Sequence, residues 1–218
     1  MWRVETSEVM FRYIVIEGPI GVGKTSLTRL LAKEFNARLI LEKPEDNPFL
    51  SDFYQHRKKY AFQTQIFFLL SRFQQQREIA QLDLFNQITL CDYLFAKDRI
   101  FASLNLDNHE LALYEQIFGL LHGQIPPPDL VIFLQAKPEV LFHRIKSRNI
   151  SYEKEIDLEY LKTLTEAYNY YFFHYDHTPL LVVDTSEIDF VKRKEDLAQL
   201  IREIQQMKKG TWYFIPMR

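Results

Sequence analysis

The segment YIVIEGPIGVGKTSLTRLLAKEF, residues 13–35, constrains the fold more than any other part of the chain. An apolar run at 12–17 predicts a buried strand, and an amphipathic run at 24–35 predicts a helix. Residues 18–25, between them, match the pattern G-x-x-x-x-G-K-[S/T] at every fixed position. A strand, a glycine-rich loop and a helix in this order predict an α/β protein with a phosphate-binding loop, but they do not name a reaction.

Each residue type in this loop has a physical role in holding phosphate. Glycines let the backbone wrap around phosphate with its N–H groups pointing inward, and the N-terminus of the following helix adds partial positive charge. Lys24 is expected to reach the β- and γ-phosphates of a nucleoside triphosphate, and the Thr25 hydroxyl to bind Mg²⁺. The alternative is a tight glycine-rich turn without a ligand. The expected loop residues are Gly18, Pro19, Ile20, Gly21, Val22, Gly23, Lys24 and Thr25.

Apolar strands and helical patterns alternate along the chain. Continuous Val, Ile and Leu runs between helices imply a parallel sheet that is covered on both faces. The predicted fold is therefore a single α/β domain over 1–218, a three-layer sandwich around a five-stranded parallel sheet. The expected strands are 12–17, 38–42, 87–92, 130–135 and 180–184. The expected helices are 24–35, 57–81, 94–104, 109–122, 137–147, 157–175 and 189–208.

Composition and charge exclude several classes of protein. The net charge is −2, with 26% charged and 47% hydrophobic residues, which is typical of a globular protein without a polyanion-binding surface, so no nucleic-acid partner is expected. The longest aliphatic and phenylalanine run, IFFLL, is too short for a membrane span, and the N-terminus has no secretory pattern, so no membrane partner is expected. Cys91 is the only cysteine, which rules out an intrachain disulfide and fits a cytoplasmic location.

Two acidic residues are expected beside the phosphate loop. Glu42 ends the second predicted strand and Asp92 ends the third, and such strand ends border the ligand site of an open parallel sheet. One carboxylate can accept a proton from an attacking hydroxyl, and the other can hold Mg²⁺. The alternative is that both acids are solvent-exposed strand ends. Glu17, just before the loop, is interpreted as structural.

A pair of arginines follows the fourth predicted strand. Arg144 and Arg148 are four residues apart and share one face of the predicted helix, and a polar stretch follows them. A lid at about 144–156 that closes over a triphosphate would neutralise charge in the transition state and exclude water. The alternative is a solvated basic helix face, since Lys146 lies between the two arginines.

Several segments together resemble the deoxyribonucleoside kinase family, in particular its bacterial deoxyadenosine and deoxyguanosine kinase branch. The resemblance covers roughly residues 12–208. Besides the phosphate loop, it rests on LEKPEDNPFL, FYQHRKKYAFQTQ, LLSR, CDYLFAKDR and LFHRIKSRNISYEKEIDLEYL. It implies ATP-dependent phosphorylation of the 5′-hydroxyl of a deoxyribonucleoside in nucleotide salvage, with ATP and Mg²⁺ bound. It also implies a homodimer joined through the helices after the second and third strands.

The resemblance also assigns roles around the sugar and the transferred phosphoryl group. It implies that Glu42 is the general base on the 5′-hydroxyl, and that Tyr54 and Glu153 hold the 3′-hydroxyl. Holding that hydroxyl would aim the 5′-oxygen at the γ-phosphate. Arg144 and Arg148 match the lid arginines of the family.

For the base, the resemblance points to three residues. Gln65 matches the glutamine that reads the base edge, and Arg72 with Asp98 matches a pair that presents a donor and an acceptor to an amino-bearing base. Asp92 matches the acid after the third strand. Thymidine-preferring relatives usually lack the arginine–aspartate pair, so deoxyadenosine, deoxyguanosine or deoxycytidine is expected as the substrate. Without the family, Gln65 would be interpreted as a helix-surface glutamine.

Three positions depart from the family pattern. Tyr93 stands where an arginine is usual, Ile150 where many animal members have a further lid arginine, and Tyr152 where a paired acid is common. Either the charge clamp is weaker here, or its positive charge comes from elsewhere. Lys97 and Arg99 are both near in sequence.

Two other functions stay open at this point. A nucleoside monophosphate kinase of the thymidylate kinase type shares the loop, sheet and lid, but its acceptor carries a phosphate and requires arginines in the pocket. The acceptor helix here offers Tyr54, Gln65 and Arg72, which suits a neutral nucleoside better. The third hypothesis is a non-catalytic nucleotide-binding regulatory module, although the chain has no N-K-x-D tetrapeptide typical of guanine-binding switches.

Two segments leave structural alternatives open. The helix at 57–81 carries IFFLLSRF, apolar on more than one face, which fits either contact with a partner subunit or ordinary two-sided burial. The C-terminal tail at 209–218 contains the sequence WYFI at 212–215, which is too apolar for a free tail. It can add an edge strand, dock on the body or contact a partner.

Overall fold

One parallel sheet, covered by helices, organises the protein. The computed structural model describes residues 11–81, 88–190 and 193–215. Its strands are β1 (Tyr13–Glu17), β2 (Arg38–Ile40), β3 (Thr89–Cys91), β4 (Leu130–Gln135), β5 (Leu180–Asp184) and β6 (Thr211–Phe214). Its helices are α1 (Lys24–Phe35), α2 (Leu50–Gln55), α3 (Arg57–Gln81), α4 (Lys97–Asn105), α5 (Asn108–His122), α6 (Pro138–Arg148), α7 (Leu158–Phe173) and α8 (Lys194–Gln206). Short 3-10 turns lie at Pro44–Asp46 and Ser151–Glu153.

The strands pair in the order β2-β3-β1-β4-β5-β6, and each neighbouring pair is parallel. In the middle of the sheet, Ile14 of β1 lies opposite Leu90 of β3 and Leu130 of β4. Strands β1, β4 and β5 are buried on both faces, which is why they read as continuous apolar runs. Because the strands are parallel, the carboxyl ends of β1, β2 and β3 meet at one edge, where the phosphate loop begins.

The sheet has six strands, so the expectation of five was wrong. Strand β6 pairs in parallel with β5 in the register Val182 opposite Tyr213. Its four side chains include one that is buried, Phe214, while Tyr213 remains largely exposed. A four-residue edge strand of this kind has neither a continuous apolar run nor a full alternation to predict it. Of the alternatives for the tail, the structure selects the edge strand; residues 216–218 lie outside the described ranges.

The main hydrophobic core lies between the sheet and helices α1 and α7. Leu27 and Leu31 of α1 and Leu161 and Leu164 of α7 are fully buried in it. None of the helices in the described ranges is both long and apolar enough to cross a membrane.

Most predicted elements agree with the structure, with boundary differences that have local causes. The predicted helices 24–35 and 57–81 coincide with α1 and α3. The predicted helix 94–104 begins later, at Lys97, because the Leu94 N–H donates to the Glu17 carboxylate at 2.6 Å and holds this segment in a turn. Helix α2 is not among the predicted helices, since six residues are too few to display the helical period. Residue 87 of a predicted strand and residues 191–192 of a predicted helix lie outside the described ranges.

Candidate active site

The phosphate loop between β1 and α1 adopts a backbone that requires glycine. Gly18 and Gly21 have φ angles of 154° and 85°. A Cβ atom at Gly18 would lie 2.4 Å from the Leu134 carbonyl oxygen, and one at Gly21 would lie 2.9 Å from Ile145 Cγ1. These close approaches explain why glycine stands at 18 and 21, since only glycine fits both the backbone conformation and the space. At Gly23, the second fixed glycine of the motif, the φ angle of 105° is the reason, because a Cβ there would meet nothing within 4 Å.

Lys24 begins α1 and turns back toward its own loop. Its Nζ donates to the carbonyl oxygens of Gly18 at 2.7 Å and Pro19 at 3.2 Å. Desolvation, and then the positive charge of Lys97, lower the pKa of Lys24 to about 8. Two lysines therefore act on the same region, which favours a ligand that is strongly negative.

Thr25 and Asp92 form the part of the site that suits a divalent cation. The Thr25 hydroxyl donates to Asp92 Oδ2 at 2.6 Å, and the Glu42 N–H donates to Asp92 Oδ1 at 2.7 Å. Burial raises the pKa of Asp92 although both hydrogen bonds oppose this shift. A hydroxyl and a carboxylate are hard oxygen ligands, and Mg²⁺ takes one or two carboxylates and completes its shell with phosphates and water. By the chemistry of their oxygen atoms, these two residues fit a Mg²⁺ ion whose remaining ligands are phosphate and water.

Glu42, two residues after β2, lies between two cations. Its Oε1 accepts from Arg72, whose Nε is 2.8 Å away, and its Oε2 accepts from Lys97 Nζ at 2.8 Å. Burial opposes ionisation of this carboxyl, but the charges of Arg72 and Lys97 outweigh burial and hold its pKa well below the usual range. The interpretation as a simple solvent-exposed strand end does not fit, because the side chain is only 16% exposed.

Glu17 has the structural role expected from the sequence. Its buried carboxylate accepts from the Gly18 N–H at 2.8 Å, the Tyr168 hydroxyl at 3.1 Å and the Leu94 N–H at 2.6 Å. These bonds join the phosphate loop, α7 and the segment after β3. Glu17 is also absent from the lining of the candidate site given below.

Arg72 and Asp98 form the pair expected on the base side. Arg72 Nη1 contacts Asp98 Oδ1, and the Tyr114 hydroxyl donates to Asp98 Oδ2 at 2.9 Å. Gln65 Nε2 donates to the backbone oxygen of Asp98 at 2.9 Å. The Arg72 guanidinium also stands 4.7 Å from the centroid of the Phe68 ring. Gln65, Phe68 and Arg72 line the cavity described below, whereas Asp98 is fully buried behind them and is not among its lining residues. The hydrogen bonds and packing therefore pre-organise the side chains that face the cavity.

A single cavity of about 160 Å³ connects these groups. Polar groups of the phosphate loop lie at one end and the Gln65–Arg72 side of α3 at the other, with Glu42 also in its wall. Aromatic and aliphatic side chains form much of the remaining wall. The residues that line it are Ile20, Lys24, Thr25, Glu42, Pro44, Leu50, Phe53, Tyr54, Ala61, Thr64, Gln65, Phe68, Arg72, Asp92, Lys97, Phe101, Asn105, Arg148, Tyr152 and Glu153.

The turn after α6 brings the lid residues to this cavity. Arg148 donates to both carboxylate oxygens of Glu153, at 2.7 and 2.5 Å. Tyr152 lies partly buried against the Leu50 and Phe53 cluster of α2, beside Tyr54. Expected sugar-site residues from two distant segments, Tyr54 and Glu153, thus line one space.

Arg144 lies elsewhere than the lid hypothesis places it. Its guanidinium donates to the Val22 carbonyl oxygen at 3.3 Å and to the Thr185 carbonyl oxygen at 2.8 Å. It thereby ties the phosphate loop to the end of β5, and it is not among the lining residues of the cavity. Its part in transition-state stabilisation stays a prediction.

The structure also shows where Tyr93 lies and which of the two nearby cations, Lys97 or Arg99, faces the cavity. Tyr93 is fully buried and donates to Gln75 Oε1 at 2.8 Å, so it is a core residue. Of the two nearby cations, Arg99 pairs with Glu115 and its side chain is 52% exposed. Lys97 is 4% exposed and reaches Glu42. The sequence analysis did not choose between these two residues. The signal that would have favoured Lys97 as the inward-facing residue is the apolar Ile100, which follows it by three residues on the same face of α4 and is buried.

Comparisons with known proteins agree with this geometry. A model of the family described as deoxynucleoside kinase matches residues 14–209. Deoxyadenosine kinase of Dictyostelium discoideum is 39% identical over 201 residues, which cover 90% of this chain and 80% of that protein. Deoxyguanosine kinase of Bacillus subtilis is 34% identical over 200 residues, which cover 89% of this chain and 97% of that protein.

Solved structures lead to the same family. Deoxyadenosine kinase from M. mycoides with the products dCMP and a flexible dCDP bound has a TM-score of 0.78 and 26% identity, covering 89% of this chain and 99% of that one. The same kinase with dATP bound has a TM-score of 0.75 and 25% identity, covering 88% and 99%. With the phosphate loop, the parallel sheet and the family match over most of its length, the chain belongs to the deoxynucleoside kinase family.

Proposed function

We propose that this kinase transfers the γ-phosphoryl group of ATP to the 5′-hydroxyl of a deoxyribonucleoside and so yields the 5′-monophosphate for nucleotide salvage. The observation that carries this proposal is the position of Glu42. It lies in one cavity with Lys24 of the phosphate loop and with Gln65 and Arg72 of α3. Glu42 bonds to Asp92 through its N–H and to Arg72 through its carboxylate, so it lies between the phosphate-loop groups and the proposed base site. Transfer to a nucleoside hydroxyl requires a carboxylate in this position.

In this mechanism, Glu42 orients the 5′-hydroxyl and accepts its proton. Arg72 and Lys97 keep the carboxyl ionised at neutral pH, which makes it a weak base. The transition state of phosphoryl transfer is loose, so positioning and electrostatic stabilisation matter more than the strength of the base. A strongly paired carboxylate is therefore compatible with the role.

The donor end holds the triphosphate and its metal. Loop N–H groups and Lys24 would bind the phosphates, while Thr25 and Asp92 would hold Mg²⁺. Mg²⁺ supplies neutralisation of the charge that develops on the phosphates. Arg148, which lines the cavity, would add positive charge when the lid closes. For Arg144 the same role would require release from the Val22 and Thr185 carbonyl oxygens.

The acceptor end holds sugar and base. Tyr54 and Glu153 would hold the 3′-hydroxyl. The Glu153 carboxylate would accept hydrogen bonds both from that hydroxyl and from Arg148, with which it already pairs. Gln65 and the Arg72–Asp98 pair would read the base. A donor and an acceptor on one wall suit an amino-bearing base, so deoxyadenosine is the preferred substrate, with deoxyguanosine and deoxycytidine as further substrates.

The proposal extends to a cytoplasmic homodimer. Leu70 of α3 is 48% exposed, and Leu113 and Leu120 of α5 are 49% and 74% exposed. These two helices pack against each other, so their exposed leucines can meet a second copy. Leu120→Asp is expected to shift the protein from dimer to monomer in sedimentation velocity, whereas a monomeric wild type would contradict the assembly but not the reaction.

An initial-rate panel tests the reaction. Each of the four deoxynucleosides is offered with ATP–Mg²⁺, and the same panel is repeated with the four monophosphates. The expected result is turnover of deoxyadenosine above the others and no turnover of monophosphates. Turnover of monophosphates alone would make the protein a nucleoside monophosphate kinase. Binding of ATP without turnover or binding of any nucleoside would make it a regulatory module.

A further inference from the structure

Lys97, at the start of α4, has no role in the mechanism so far beyond its contact with Glu42. Its side chain is 4% exposed and lines the cavity. Among the described residues, its ammonium group has one hydrogen-bond acceptor, Glu42 Oε2 at 2.8 Å. An ammonium group carries three N–H donors, so a buried cation here keeps donors for a further partner. Burying such a group is costly unless it is paired and hydrogen-bonded.

The other cations of the cavity are already engaged on more than one side. Arg72 bonds to Glu42 and contacts Asp98, and Arg148 bonds to both oxygens of Glu153. Lys24 is on the phosphate loop itself. Lys97 differs from these three in having a single acceptor among the described residues, and in reaching the oxygen of Glu42 that Arg72 does not hold.

Lys97 also lies close to the donor end. The carboxylate that it holds belongs to Glu42, whose N–H donates to Asp92 Oδ1 at 2.7 Å, and Asp92 in turn accepts from the Thr25 hydroxyl at 2.6 Å. Glu42 thus has Arg72 on one oxygen and, on the other, a lysine that lines the same cavity as Lys24 and Thr25. A group that is transferred from donor to acceptor would pass beside this lysine.

Building on the proposed function, we propose that Lys97 is a catalytic residue that contacts the transferred phosphoryl group through the N–H donors not used by Glu42. Tyr93, buried and uncharged, does not provide this positive charge, and Arg99 faces away toward Glu115. One ammonium group then bridges the carboxylate that takes the proton and the phosphoryl group that moves.

The step balances as follows. The 5′-oxygen forms a bond to the γ-phosphorus, and the bond from that phosphorus to the β–γ bridging oxygen breaks, so the electron pair leaves with ADP. The proton of the 5′-hydroxyl goes to the Glu42 carboxylate. Lys97 keeps its proton throughout and stabilises the charge on the phosphoryl oxygens.

Three variants distinguish direct contact between Lys97 and the phosphoryl group from a positioning role, in which Lys97 would only orient Glu42. Lys97→Gln removes the charge but retains an N–H donor for Glu42, and Lys97→Arg retains the charge. Lys97→Met keeps the length of the side chain without charge or donor. Arg99→Gln is the matched control, since it removes a cation from the same helix outside the cavity.

The expected result is a loss in kcat of about 10²- to 10³-fold for Lys97→Gln and Lys97→Met, the usual loss when one transition-state donor is removed. The KM for deoxyadenosine stays within about threefold. Lys97→Arg recovers about tenfold or more of the loss, and Arg99→Gln matches the wild type.

A binding measurement gives a readout besides turnover. ADP is titrated alone, and then together with aluminium fluoride and the deoxynucleoside. The complex of all three is an analogue of the transition state of phosphoryl transfer. Lys97→Gln is expected to leave the affinity for ADP within about threefold and to weaken the fluoroaluminate complex by about the factor lost in kcat.

Several outcomes would overturn the inference. They are a folded Lys97→Gln with wild-type kcat, an equal loss of affinity for ADP and for the fluoroaluminate complex, or a folded Lys97→Arg as inactive as Lys97→Gln. If Lys97→Gln fails to unfold cooperatively on heating, Lys97→Met and Lys97→Arg decide the question on the same criteria. A wild type without turnover of any deoxynucleoside would instead refute the proposed function, which the panel above detects independently.

Discussion

The two ends of the candidate active site are built in opposite ways. The donor end draws most of its groups from residues 18–25, one unbroken segment, and adds Asp92 from the end of β3. The acceptor end draws Tyr54 from α2, Gln65 and Arg72 from α3, and Glu153 from the turn after α6. One segment therefore supplies most of the proposed phosphate cradle, whereas the proposed nucleoside site depends on packing among helices that are distant in sequence.

This difference predicts that substitutions at the two ends have separate effects. A donor-end substitution should raise the KM for ATP and leave nucleoside affinity unchanged. An acceptor-end substitution should weaken nucleoside binding and leave the KM for ATP unchanged. The residue at the junction, Glu42, should affect neither binding step and should affect the chemical step most.

Glu42→Gln is expected to produce the largest effect. It removes the proposed proton acceptor and is expected to lower kcat by about 10²- to 10⁴-fold, the usual contribution of a general base. Deoxynucleoside affinity, measured by isothermal titration calorimetry, is expected to be preserved. Glu45→Gln, an exposed change three residues away, serves as the control. Near-normal kcat in Glu42→Gln would remove this residue from the role of base.

Gly21→Ala tests the donor end alone. The φ angle of 85° and a Cβ atom 3.0 Å from the Leu141 carbonyl oxygen force strain into the loop. Strain of about 1–3 kcal/mol is expected to raise the KM for ATP roughly 10- to 100-fold. Gly119→Ala, whose Cβ would meet nothing within 4 Å, is the control. Loss of nucleoside affinity in Gly21→Ala would break the separation of the two ends.

Gln65→Leu tests the acceptor end alone. It removes the hydrogen bond to the Asp98 backbone oxygen and, under the proposed function, the amide that reads the base. A loss of about 1–1.5 kcal/mol is expected to lower kcat/KM for deoxyadenosine roughly tenfold, with the KM for ATP unchanged. Gln63→Leu, on an exposed position of the same helix, is expected to match the wild type. An equal effect of both changes would mean that Gln65 does not read the base.

Substitutions of Asp157, which connects the start of α7 to α3, are expected to have the smallest effect. Its carboxylate accepts from the Tyr160 N–H at 2.7 Å and from Arg57 at 3.1 Å. Asp157→Ala is expected to lower the free energy of unfolding by about 1 kcal/mol through loss of the helix cap. Asp157→Asn keeps the cap and loses the exposed ion pair, so its cost in urea unfolding is expected to be about 0.5 kcal/mol or less. A larger loss in Asp157→Asn would assign the stability to the ion pair.

Much of the fold was predictable from the sequence because its signals are local. The glycine spacing, the continuous apolar strands and the helices at 24–35 and 57–81 follow from backbone preference and periodicity over short windows. Helix α2 was not predicted, and strand β6 was only one of three alternatives for the tail, since their short lengths carry no periodic signal and their stability comes from the elements that they pack against. Propensity cannot report such contacts.

The sequence by itself determined the phosphate loop and the identity of the acids at the strand ends, Glu42 and Asp92, because a parallel sheet brings these positions to one edge. Only the tertiary structure decided which groups surround them. It turned Lys97 into the cavity and Arg99 out of it, and it placed Arg144 on the Val22 and Thr185 carbonyl oxygens. The physical reason is that a charged side chain is directed by burial and by partners from distant segments, which short-range sequence patterns do not record.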